Sequence, residues 1–193
     1  MNEIRNKTRF LVYNALFIAL ILVMQLTGIG IIRMGVINIT FFCTVIAAGT
    51  LFLGLASGLV QGAAFAIISF IMALTGPSGL VAPILANSWL QVFIMCFVPR
   101  LLVPVAVHSL YRLTMKVWKK DKLSLALAGA AGSAVNSIFY LGIMLLCYIP
   151  MLSEHPGVVA TVGGILLSAS IPECVAAAVI APAVVLALRK IKN

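Results

Sequence analysis

Two ionisable side chains, Arg100 and Glu173, sit inside long apolar runs of a 193-residue chain. A charge at the middle of a membrane-spanning helix costs ~2.5–3.5 kcal/mol on insertion scales, so such a residue usually faces a cavity or a partner. Counting down the two runs, Arg100 falls about 12 residues after Ser88 and Glu173 about 13 after Ala160, which gives similar depths at ~1.5 Å per helical residue. Asn136, in the run between them, comes out near the same level. Three polar groups from three segments could therefore converge. Trp89, Phe93, Cys96 and Arg100 are spaced by 4, 3 and 4, which predicts one helical stripe. Asn136 and Tyr140 share a face of the next helix. A pocket walled by Trp89, Phe93 and Tyr140 and floored by Arg100 would suit a small anionic or amide-bearing molecule. The alternative is that Arg100 and Glu173 pair only with each other.

Other chemistry finds little footing. The sequence contains no G-x-x-x-x-G-K-[ST], no serine nucleophile elbow and no H-E-x-x-H. Gly28-Ile29-Gly30 is a fragment of a nucleotide fingerprint without the surrounding βαβ unit. Cys43, Cys96, Cys147 and Cys174 are far apart and form no C-x-x-C, so they read as small buried hydrophobes. His108 and His155 have no partner at ligand spacing. No metal and no cofactor are expected. Asn14, Gln25 and Gln61 read as polar packing groups between helices.

The elements that must position these residues follow from composition. The chain is 63% hydrophobic and 9% charged, with a mean hydropathy of +1.21, whereas soluble domains carry about 25% charged residues. Apolar runs of about 20 residues recur, long enough to cross hydrocarbon as helices. They lack the alternation of barrel strands. The fold class is an all-α integral membrane protein of six helices, read as one domain over residues 1–193. The spans are placed at 10–28, 38–55, 57–75, 87–112, 123–149 and 160–188, with a tight reversal at Ala56-Ser57 helped by Gly54 and Gly58.

The net charge of +9 does not form a nucleic-acid stripe, because the bases sit at helix ends. Arg5, Lys7 and Arg9 precede the first span. Arg112, Lys116, Lys119, Lys120 and Lys122 follow the fourth, and Arg189, Lys190 and Lys192 follow the sixth. Six crossings put all of these on one side, which the positive-inside rule makes cytoplasmic. Both termini are then cytoplasmic. The opposite face keeps Arg33, Glu154 and His155. Small residues at i, i+4 mark helix contacts: Ala15 and Ala19 on the first span, and Gly129 with Ser133 and Ala130 with Ala134 on the fifth. These serve internal packing or contact with another membrane subunit.

Six helices in under 200 residues, Ala15-x-x-x-Ala19 on the first and no ATPase motif together resemble the substrate-binding S-component of an energy-coupling-factor vitamin transporter. Ile37-Asn38-Ile39-Thr40 running into Ala48-Gly49-Thr50-Leu51-Phe52-Leu53-Gly54, and Val98-Pro99-Arg100-Leu101-Leu102-Val103 ending at Leu110-Tyr111-Arg112, are similar to segments of its pantothenate-type branch. Pro104 departs from the pattern, standing where relatives often have glycine. The resemblance implies a non-enzymatic subunit in a prokaryotic plasma membrane that captures a vitamin, pantothenate foremost, from outside. Its partners would be a transmembrane scaffold and two cytoplasmic ATPases. Ala15 and Ala19 would dock on the scaffold, the loop from Thr75 to Asn87 would gate the pocket, and Arg100 would meet the carboxylate of pantothenate.

Other readings are an S-component for folate or a pyridoxine-like vitamin, a structural subunit without ligand, or a small membrane enzyme using Glu173 as acid or base. The last lacks a second convergent carboxylate, metal ligand or nucleophile.

Overall fold

The computed structural model describes the backbone of residues 2–34 and 37–192, and side chains over 7–30 and 40–191. It is almost entirely helical. In chain order come α1 (Asn2–Thr27), a hairpin of β1 (Ile31–Met34) and β2 (Ile37–Thr40), α2 (Phe42–Leu53), α3 (Leu55–Thr75), α4 (Ala82–Asn87), α5 (Trp89–Trp118), α6 (Asp121–Tyr148) and α7 (Val158–Lys192). A short 3-10 turn, Ile149–Met151, follows α6. Among the described residues, five helices are long and apolar enough to cross a membrane, and α2 is a sixth, shorter apolar helix. The all-α membrane class with about six helices is what the apolar runs require.

Helix ends shift by several residues (α1 starts at Asn2 and α5 runs on to Trp118), the loop read at Thr75–Asn87 contains α4, and two boundaries differ in kind from the sequence reading. The second span was placed from residue 38, yet α2 begins at Phe42, and Ile37–Thr40 is a strand antiparallel to Ile31–Met34, with Ile31 opposite Thr40 and Arg33 opposite Asn38. The segment Ile37-Asn38-Ile39-Thr40 is rich in β-branched residues, which lose rotamer freedom in a helix and fit a pleated strand better. With 12 residues, α2 covers ~18 Å of the ~30 Å of hydrocarbon.

The second difference is the reversal between α2 and α3. It occurs at Gly54 alone, with φ of 99°, not at Ala56-Ser57. A side chain is disfavoured at that φ, so only glycine turns the chain there cheaply. Gly58 lies inside α3 and packs beside the Thr50 side chain.

Buried side chains form two apolar clusters. One joins Phe17 and Ile21 of α1, Phe42 and Ile46 of α2, Phe65 of α3, Val103 and Val107 of α5, Leu125 of α6 and Val185 of α7. The other joins Val81, Ile84, Met95, Cys96, Leu141, Met144, Tyr148 and Val162. Tyr111 and Leu188, toward the ends of α5 and α7, pack against the first cluster. There Arg189 donates to Asp121 at 2.8 Å, and the Tyr111 hydroxyl donates to the same carboxylate at 2.8 Å. These contacts tie α5, α6 and α7 together, although the ion pair is about a third exposed and so adds little stability by itself. At the other end the Tyr148 hydroxyl donates to the Leu80 carbonyl at 2.7 Å, fixing the segment between α3 and α4.

Of the small residues predicted on the fifth span, Gly129 and Ser133 pack internally, while Ala130 and Ala134 are half-buried. Gly129 faces the Ala177 carbonyl of α7 so closely that a Cβ there would lie 2.6 Å from its oxygen, and Ser133 is buried. On α3, Gly62 does the same job against α5, where a Cβ would lie 2.5 Å from the Arg100 carbonyl oxygen. That close approach sets the spacing of the two helices at the level of Arg100. We expect Gly62→Val to lower stability by about 1–3 kcal/mol, the usual effect of overpacking. Thermal unfolding of the detergent-solubilised protein checks this, and an unchanged midpoint would show that α3 and α5 can separate without penalty.

Candidate functional site

A cavity of about 660 Å³ opens between the two apolar clusters, within the ~300–1,000 Å³ typical of small-molecule pockets. Phe42 and Phe65 line it from one cluster; Val81, Cys96, Leu141 and Met144 line it from the other. The connecting segment Gly76–Val81 contributes most of its residues to one side of the lining, and Gln25, Thr40, Arg100, Asn136, Ser137, Tyr140 and Glu173 supply most of its polar groups.

The position of Arg100 follows from the residue before it. Pro99 has no N–H, so the carbonyl four residues earlier, Met95, loses its helical donor. Arg100 fills that vacancy, its Nη1 donating to the Met95 oxygen at 2.8 Å. Pro104 frees the Arg100 carbonyl by the same logic, at the place where Gly62 approaches. The guanidinium lies over two aromatic faces, with Cζ 4.5 Å from the Tyr140 ring centroid and 5.2 Å from that of Phe65. Such contacts stabilise a cation by ~0.5–2 kcal/mol. Arg100 is only 7% exposed, and its Nε has no hydrogen-bond partner.

Glu173 also follows a proline, Pro172 of α7. Its Oε1 accepts from the Thr40 backbone N–H at 2.6 Å and from the Thr40 hydroxyl at 2.9 Å, and Oε2 accepts from Ser137 at 3.5 Å. The carboxylate thus holds the end of the β-hairpin against α7. Among the described residues no ion pair within 4.0 Å joins Arg100 to Glu173; the charge pairs that fall in that range lie elsewhere. The reading in which the two charges pair only with each other does not describe this geometry. Both instead open onto one cavity.

The remaining expected site residues divide. Asn136 and Tyr140 line the cavity with Arg100 and Glu173, and Asn136 Oδ1 is buried without a partner. Trp89 and Phe93 do not line it. Trp89, in the first turn of α5, is 61% exposed on the outer surface. Phe93 stacks on Phe97 at 4.1 Å between centroids and meets Phe70 of α3 edge-on at 5.5 Å. Aromatic pairing therefore takes the upper half of the predicted stripe away from the cavity.

Thr40, Phe65, Ser137 and Gln25 line the cavity without having been singled out for it. Thr40 could not be found while its segment was read as helix. Ser137 lies three residues before Tyr140 on the same helix, and that spacing was available. Gln25 donates to the Met72 sulfur at 3.2 Å while its Oε1 stays unpaired. Ala15 and Ala19 lie on the exposed face of α1 and do not line the cavity.

The bundle, its cavity with a few convergent polar groups and the exposed first helix agree with a comparison to known families. The sequence model of the energy-coupling-factor (ECF) transporter substrate-specific component matches residues 9–185. No curated protein matches the chain. The chain belongs to the substrate-specific component family of ECF transporters, as a membrane subunit of a transporter.

Proposed function

We propose that this subunit binds a vitamin, with pantothenate foremost, in the cavity between α3, α5, α6 and α7, and delivers it for ATP-driven uptake by partner subunits. The observation that carries the reading is Arg100: a buried guanidinium, not neutralised by Glu173, lining a cavity of vitamin size. An anionic ligand supplies the missing countercharge. Pantothenate has a carboxylate for Arg100, an amide for Asn136 and a gem-dimethyl group for the Phe65 and Tyr140 surfaces. Folate and pyridoxine-like vitamins are the next candidates.

In this reading the basic ends face the cytoplasm of a prokaryotic cell, by the positive-inside rule. The cavity then lies toward the outer half, since it is lined by the segment Gly76–Val81 that leads to the start of α5, whereas Arg112 and Lys116 lie toward the end of that helix. The segment Gly76–Val81, held by Tyr148, acts as the gate. The exposed face of α1 carries the docking role. Only 11% of the apolar window of α1 is buried, against 44% for that of α5, and Ala15 and Ala19 leave room for a partner helix to approach closely. The partners are a transmembrane scaffold and two cytoplasmic ATPases.

Two experiments test the two halves of this reading. Pantothenate at 100 times its dissociation constant should add about 2.7 kcal/mol to the stability of the purified protein, visible as a thermal shift. Arg100→Ala should weaken binding about 30-fold or more, since truncating one member of a buried charge pair costs ~2–5 kcal/mol. Normal binding by that variant would remove Arg100 from the site. Ala15→Trp should leave binding intact and abolish uptake in cells expressing the whole transporter. Normal uptake would place docking on another face.

A further inference from the structure

We infer that the ligand is bipolar: it carries an anionic group for Arg100 and, at its other end, a hydrogen-bond-donating group that Glu173 reads through Oε2. This rests on the reading of the cavity as the vitamin site and adds a second specificity-determining residue to it.

The argument begins with the hydrogen bonds of Glu173. All three of its contacts are donated to it, two to Oε1 and one, at 3.5 Å, to Oε2. A carboxylate offers about four lone-pair sites, so Oε1 is saturated while Oε2 keeps capacity. Glu173 lines the same cavity as Arg100. Neither charge neutralises the other directly, and among the described residues no cation pairs with Glu173.

Water can solvate both charges while the cavity is open. A ligand that fills it displaces that water, and a buried charge left without a partner is costly. A simple anion would satisfy Arg100 and strand Glu173. A simple cation would do the reverse. A molecule with a carboxylate at one end and hydroxyl or ammonium donors at the other satisfies both, and its apolar middle meets Phe65 and Tyr140. The site thus rejects monopolar ligands by leaving one of its own charges unpaired, a stronger discrimination than any contact it makes with them.

Three probes separate the poles. Pantothenate carries a carboxylate and two hydroxyls; panthenol keeps the hydroxyls without the carboxylate; lipoate keeps a carboxylate on a tail with no donor. Affinities for the purified wild-type protein and for Glu173→Gln are read by titration calorimetry. Wild type should bind pantothenate at least about 10-fold more tightly than either analogue, and Glu173→Gln should lose about 10- to 100-fold for pantothenate while binding lipoate at least as tightly as wild type, since no charge is then stranded.

The ratio of pantothenate to lipoate affinity is the decisive quantity. If Glu173 only anchors the hairpin through Thr40, the variant loses both ligands equally and the ratio stays, which overturns the inference. Lipoate binding wild type as tightly as pantothenate overturns it too, while leaving the vitamin site standing. No binding of any of the three by folded wild-type protein overturns the pantothenate reading, and this inference with it.

Discussion

Everything around the cavity depends on how two opposite charges are kept apart inside an apolar bundle. Direct pairing would be the simplest way to lower their cost, and it would close the space between them. The structure instead gives each charge local support from backbone. Arg100 donates to the carbonyl that Pro99 orphans, and Glu173 accepts from the N–H of Thr40. These bonds lower the cost of each charge without satisfying it fully, and the remaining capacity faces a cavity of about 660 Å³. A structural subunit has no reason to hold its charges this way. A binding subunit does.

The prolines make this arrangement possible. A proline within a helix costs ~3 kcal/mol or more because it removes a hydrogen bond and crowds the preceding turn. At Pro99 the lost bond becomes the anchor for the cavity-lining cation, so the break in the helix also fixes the side chain. At Pro104 the freed carbonyl is covered by the close approach of Gly62. The hairpin plays the matching part for Glu173. Strand backbone is tolerated at membrane depth only where it is buried in protein or lines a cavity, and Thr40 does the latter.

Much of this was legible in the sequence, and the reasons differ by level. Apolar run length and the placement of bases at helix ends define the helices, because hydrocarbon allows few alternatives. Arg100, Glu173 and Asn136 stood out because polar groups in apolar runs need an explanation, and helix geometry put them at one depth. The hairpin was hidden inside what looked like one apolar run, since Ile37 and Ile39 suit a strand or a buried helix equally by hydropathy. With it went Thr40. Trp89 and Phe93 fit the stripe by spacing, but spacing cannot show that Phe70 and Phe97 compete for the same ring. Gly54 was recognised as a reversal residue, yet the turn needed only that one residue.

The most direct test of the account is an experimental structure of the protein with pantothenate bound. The account requires the ligand carboxylate on the Arg100 guanidinium, ligand donors near Glu173 Oε2, and the Thr40 to Glu173 hydrogen bonds preserved beside them. An Arg100–Glu173 ion pair spanning a collapsed cavity, with the ligand elsewhere or absent, would contradict it.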